Sequence, residues 1–172
     1  MSKENIQWVQ SLNESHKMYE SYFNQHRANI RKAWEQIQVG MSEEPFITDK
    51  YLNWYINNAI EHHDESKKSK YEWDQYRRYF YPVYGIDIDR AFIQKEYDEA
   101  WKHHYTNNKH HWEYWADRDA NAERETLPFI RQCAFVEMAC DWQAMSLYYK
   151  NNIRDWYEEN LDSIVMTPED TV

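Results

Sequence analysis

Glycine and proline are nearly missing, with 2 and 4 copies in 172 residues. A many-stranded sheet needs tight turns, and tight turns draw on both residues, so the shortage argues against a β architecture. Positive charge is also short: 20 Lys and Arg face 30 Asp and Glu, a net charge of −10. Such a chain repels a phosphate backbone instead of recruiting it by counterion release, so no duplex nucleic acid is expected as a partner. Cysteine is limited to Cys133 and Cys140. They fall in one predicted helix about 10 Å apart along its axis, too far for a mutual disulfide, and read as buried thiols of a reducing compartment. No run approaches the roughly 20 apolar residues of a membrane span. The start, Met1-Ser2-Lys3-Glu4-Asn5, lacks the apolar core of a signal peptide. The expectation is a soluble, cytoplasmic protein with no membrane partner.

Aromatic residues, in contrast, are abundant at 17%, which supplies bulk for packing helices together. The length suits one domain with its own core. The fold class expected is all-α: a single domain over residues 1–172, its core over about 12–160 with short flexible ends, built as a bundle of about six helices.

Apolar periodicity places those helices. Over residues 12–38, Tyr19, Tyr22, Phe23, Ile30, Ala33, Trp34 and Ile37 recur at three- and four-residue steps, and His26 falls on the same stripe. Gly40 marks the end of that helix. Thr48 or Asp49 caps the next, which runs to about His63 with Leu52, Ile56 and Ile60 inward. A basic turn over 66–70 precedes a short aromatic helix that stops at Pro82. Asp87 or Asp89 then caps a helix over 90–107, with Ile93, Tyr97, Ala100 and His104 inward and His103 outward. Residues 108–125 read as an irregular, His-rich loop. Thr126 and Pro128 open a long helix to about Tyr148, on which Ile130, Ala134, Glu137, Asp141 and Met145 share one stripe. A short helix over 152–160 and a frayed tail at 167–170 complete the chain.

Several of these core-facing stripes carry an ionisable side chain: His26, His63 with Asp64 beside it, His104, and the pair Glu137 and Asp141. A lone histidine on an apolar face is more often a hydrogen-bonded core residue than a ligand. Two carboxylates one turn apart on an apolar face do need partners, because an uncompensated buried charge is expensive. Imidazole and carboxylate both suit divalent metals, and helices of a bundle bring such donors together at its centre.

The order His, His-Asp, further His, Asp resembles the HD-domain metal-dependent phosphohydrolases, an all-α superfamily. Lys67, three residues after Asp64, is similar to a lysine seen in many of its members. The resemblance implies that His26, His63, Asp64 and Asp141 bind one metal, and that His104 with His110 or His111 holds a second. One or two divalent ions are therefore expected as cofactor, drawn from Mn, Fe, Co, Ni, Zn and Mg. His16 is the alternative to His26, which is preferred for its better-defined stripe and its spacing to His63. A closer likeness is to an uncharacterised family of small phage and bacterial proteins. It rests on His63-Asp64-x-Ser66-Lys67, Ala100-Trp101-x-x-His104, Asn108-x-His110-His111-x-x-x-Trp115 and Glu137-Met138-x-x-Asp141-Trp142. That family implies no activity.

The function expected on the superfamily resemblance is metal-dependent hydrolysis, by metal-activated water, of a phosphorylated small molecule, with a nucleotide or nucleotide-derived signal as the expected substrate. Lys67 is the candidate charge partner of a substrate phosphate, with Arg77, Arg78 and Lys109 behind it, although a solvated basic turn explains Lys67 equally well. Glu137 either orients a ligand histidine or serves as an acid-base group. The aromatic residues 71–84 offer a stacking surface for a nucleobase, with core packing the commoner reading. Two alternatives stay open: a non-catalytic, phage-type interaction protein with a host partner and a structural metal or polar histidine core, and a di-iron oxygenase of the HD type. Substrate identity and a homo-oligomeric state stay open as well.

Overall fold

The computed structural model describes residues 7–116 and 128–165. Among them are eight α-helices: α1 (Leu12–Gly40), α2 (Pro45–Thr48), α3 (Lys50–His62), α4 (Trp73–Phe80), α5 (Arg90–Asn107), α6 (Trp112–Ala116), α7 (Pro128–Tyr149) and α8 (Ile153–Asn160). Two 3-10 turns, Glu65–Lys68 and Leu161–Ser163, accompany them. The described residues hold no strand, only one isolated parallel bridge between Val9 and Val83. The fold class is all-α. All six helices expected from periodicity are present, and α2 and α6 are additions of about one turn, too short to show a period.

One expectation is corrected. The stretch 108–125 is not wholly irregular: its described part contains α6, whose Tyr114 and Trp115 are buried against Ala134 and Met138 of α7. Packing of two adjacent aromatic rings, not periodicity, holds this turn of helix in place. Residues 117–127, the start at 1–5 and the tail at 167–170 lie outside the described residues.

Side-chain caps set the helix starts. Asp49 Oδ1 accepts from the backbone N–H of Tyr51 at 2.8 Å and of Leu52 at 3.1 Å, so it, not Thr48, caps α3. Asp89 accepts from Phe92 N–H at 3.0 Å at the start of α5, and Asn152 from Arg154 N–H at 2.8 Å before α8. Asp87, the other candidate cap, is buried and instead takes the Val83 N–H at 2.8 Å and the Arg77 guanidinium at 3.0 Å.

The chain forms two compact units. The first comprises Met1–Gln25 and Asp64–His104. Its core is aromatic: Tyr19, Tyr76 and Ala100 are buried, with Trp73, Phe80, Tyr97 and Trp101 packed on them. The second comprises His26–His63 and Tyr105–Val172. Its core is mixed, with aliphatic Ile30, Ala33, Ile56, Ile60 and Ala144 beside Trp34, Phe46, Cys133 and Cys140, and α3 is packed along α7. Cys133 and Cys140 are buried free thiols. No helix among the described residues is long and apolar enough to cross a membrane.

Candidate metal centre

In the second unit, α1 supplies His26, the C-terminal end of α3 supplies His63, and α7 supplies Glu137 and Asp141 one turn apart. His63 is the C-cap of α3, with a non-helical backbone (φ −49°, ψ 131°). His110 comes from the turn before α6. His26, His63 and His110 are 3%, 1% and 2% exposed, so whatever they contact is withdrawn from bulk water.

Glu137 organises the group. Its Oε1 accepts from His63 Nδ1 at 2.8 Å and lies 3.1 Å from His110 Nδ1. The His63 and His110 rings stand 4.1 Å apart, tilted by 34°. With Nδ1–H committed to a carboxylate, the Nε2 lone pair of a neutral imidazole is the atom left to ligate, the arrangement found behind metal-bound histidines. Asp141 Oδ1 lies 3.2 Å from His26 Nε2 and 3.9 Å from His63 Nε2. Two donor atoms each about 2.0–2.2 Å from one ion can be no more than about 4.4 Å apart, so both separations suit a shared metal. The donor atoms of His26, His63 and Asp141 all fall within 4.8 Å of one another, as do those of His63, His110 and Glu137.

The electrostatics run the same way. Burial raises the Glu137 carboxyl, but the charge and hydrogen bonds of His110 and His63 outweigh it and bring it down to about 2. Burial likewise opposes ionisation of Asp141, and the hydrogen bond and charge of His26, with His63 and His110 behind it, hold it well below the usual carboxylate range. Both carboxylates are therefore held in the ionised form, and among the described residues the positive charge that stabilises them comes from His26, His63 and His110, a part that a bound cation could take over. Burial pushes the Cys133 and Cys140 thiols up to about 11 and about 12. They stay protonated and are not thiolate ligands at neutral pH.

A second group of ionisable residues lies in the first unit. Asp64 adopts a left-handed backbone, φ 62°, a region an aspartate enters more readily than bulkier residues. Its carbonyl accepts from Lys67 N–H at 2.9 Å to start the 3-10 turn. Lys67 Nζ reaches Asp64 Oδ2 at 2.5 Å and also lies over the Tyr76 ring. Asp64 Oδ1 faces His104 Nε2 at 3.1 Å, and His104 Nδ1 in turn meets Glu72 Oε2 at 2.8 Å. Glu72 Oε1 takes His103 Nδ1 at 2.6 Å, and the Ser66 hydroxyl donates to Glu72 Oε2 at 3.1 Å. Burial raises the Glu72 carboxyl, and hydrogen bonds and charge from His104, His103 and Ser66 outweigh it, leaving it lowered. Glu72 carries no periodic signal in the sequence; its one mark is a carboxylate set between Tyr71 and Trp73 in an aromatic stretch.

The sequence-predicted residues are thus distributed. His26, His63, His110, Glu137 and Asp141 meet in the second unit, where the His111 ring lies 4.3 Å from that of His110. His26, not His16, stands beside His63 and Asp141; His16 belongs to the first unit, where its Nδ1 accepts from the Trp73 indole N–H at 3.3 Å. Asp64, Lys67 and His104 meet in the first unit. Arg77 is 3% exposed and paired with Asp87 at 3.0 Å, not presented at the surface. Arg78 pairs with Glu96 at 2.5 Å. Lys109 is half-buried, its carbonyl taking the Trp115 indole N–H at 2.8 Å.

A family model described as "Family of unknown function (DUF5662)" matches residues 15–171. The chain belongs to this family. The match includes every residue of both groups. No curated protein and no solved structure matches the chain.

Proposed function

We propose that this member of DUF5662 is an HD-domain-like, metal-dependent hydrolase of a phosphorylated small molecule, with a nucleotide or nucleotide-derived signal as substrate. The observation that carries the reading is the convergence of His26, His63 and Asp141 over a glutamate that fixes the Nδ1 side of His63. His26 Nε2, His63 Nε2 and Asp141 would hold the ion, and His110 flanks them. A divalent cation in such a site supplies a Lewis acid and lowers the pKa of water toward neutrality. The protein's own contribution is to exclude bulk water around the three imidazoles, to hold the ligand tautomer through Glu137, and to keep Asp141 ionised against its burial. Three imidazoles with a carboxylate favour a borderline transition ion such as Mn, Fe, Co, Ni or Zn over Mg, which prefers oxygen donors.

The test is phosphate release. Protein loaded separately with Mn, Fe, Co, Ni and Zn is incubated with nucleoside mono-, di- and triphosphates and with cyclic and linear dinucleotides. Turnover with at least one metal and substrate, abolished in Asp141→Ala, supports the reading. A loaded, folded protein that releases no phosphate from any of them contradicts it, and the structural-metal alternative then stands.

A further inference from the structure

A cavity of about 440 Å³ lies in the first unit, lined from the start of α1, from α4 and from the segment leading into α5. The volume falls in the range of about 300–1,000 Å³ typical of small-molecule pockets. Its polar side is rigidly built. Arg77 Nη1 donates to Asp87 Oδ2 at 3.0 Å and to Ser15 Oγ at 2.9 Å, which fixes the guanidinium. Its Nε–H is buried and has no hydrogen-bond partner among the described residues. A buried N–H left in this state is costly unless a ligand or water takes it.

Beside it, Asp74 Oδ1 stands 3.7 Å from Arg77 Nε and 3.8 Å from His16 Nε2, both beyond hydrogen-bond length. Because His16 Nδ1 accepts from Trp73, the ring proton of the neutral imidazole is on Nε2. The cavity therefore presents two N–H donors around one carboxylate acceptor, each pair spaced too widely to satisfy itself. A ligand hydroxyl, which accepts and donates at once, suits that arrangement.

Much of the remaining lining is apolar and open: Leu12, Ile88 and Phe92 are 46%, 69% and 52% exposed. The Phe92 ring offers a stacking face for a flat heterocycle. The charge of the lining excludes a phosphate. Arg77 is answered by Asp87 and Arg78 by Glu96, while Asp74 and Asp89 add further carboxylates.

We propose that this cavity binds a neutral nucleoside, its sugar hydroxyls between Arg77, His16 and Asp74 and its base on Phe92. The inference stands apart from the metal centre and does not need it. Isothermal titration of the full chain, treated with EDTA, with adenosine, guanosine and AMP tests it. The expected result is saturable binding of at least one of the two nucleosides, at least tenfold weaker binding of AMP, and a tenfold or greater loss in both Phe92→Ala and Asp74→Ala, whose side chains are solvent-exposed and not part of the core. Absence of binding by both nucleosides up to their solubility limits overturns the proposal. So does wild-type affinity in either variant, or AMP bound as tightly as the nucleoside.

Discussion

Each unit buries one glutamate that reaches two imidazoles through their Nδ1 atoms: Glu72 takes His103 and His104, and Glu137 takes His63 and His110. The two arrangements differ in what faces the far nitrogens. In the first unit, His104 Nε2 meets Asp64, whose other oxygen is held by the Lys67 ammonium at 2.5 Å. A fixed cation is built in there. In the second unit the Nε2 atoms of His26 and His63 converge on Asp141, and among the described residues the set found there consists of carboxylates and imidazoles. Among the described residues, the first unit's group therefore carries its own counter-charge, whereas the second unit's group takes positive charge from protons or from an ion.

Breaking the built-in cation should give the largest effect on stability. Lys67→Met leaves the 1% exposed Asp64 without its ammonium, and removal of one partner of a buried pair costs about 3–5 kcal/mol. Urea denaturation measures it, and a loss under about 1 kcal/mol would show that Lys67 is not the counter-charge. The second unit is probed through Glu137→Gln, which keeps the shape and removes the charge. Loss of such a supporting carboxylate typically costs about 10–100-fold in metal affinity, or about 1.4–2.7 kcal/mol, read by competition with a chromogenic chelator. An unchanged affinity would remove the role assigned to Glu137.

Acid sharpens the comparison further. A carboxyl lowered by folding stabilises the protein above its unfolded value, and the contribution is lost as pH falls through the folded value. For Glu137 in EDTA-treated protein the window runs from its ordinary 4.5 down to about 2. Wild type and Glu137→Gln should therefore differ in denaturation midpoint near pH 6 and converge as pH approaches 2; a gap that widens on acidification would reverse the sign. The smallest effect concerns the thiols. With Cys133 and Cys140 buried and their pKa values raised, neither should react with Ellman's reagent at pH 8 until the chain is unfolded, when both should.

Much of the second unit's group was legible because helical periodicity is. The stripe Tyr19, His26, Ile30, Ala33 places His26 inward, and four-residue spacing puts Glu137 and Asp141 on one face of α7. Glu72 was not legible. It sits at the N-cap of α4, outside any repeat, and its partners His103 and His104 lie more than thirty residues away in the chain. The sequence offers Arg77 as a candidate charge partner of a substrate phosphate, and its pairing with Asp87 was not legible because Asp87 arrives across a loop, which no local pattern announces. The turn of helix at Trp112–Ala116 escaped for a similar reason, since tertiary packing of Tyr114 and Trp115 decides it.

The most direct test of the central claim is metal content. Chain expressed without a histidine tag, stripped, incubated with Mn, Fe, Co, Ni or Zn and desalted, is analysed by inductively coupled plasma mass spectrometry alongside His26→Ala, His63→Ala and Asp141→Ala, each checked for folding by circular dichroism. The wild-type chain is expected to hold at least one ion tightly, and each folded variant to lose it, with affinity down at least 100-fold. A folded wild-type chain that retains none of the five metals, or folded variants that retain as much as wild type, would contradict that claim.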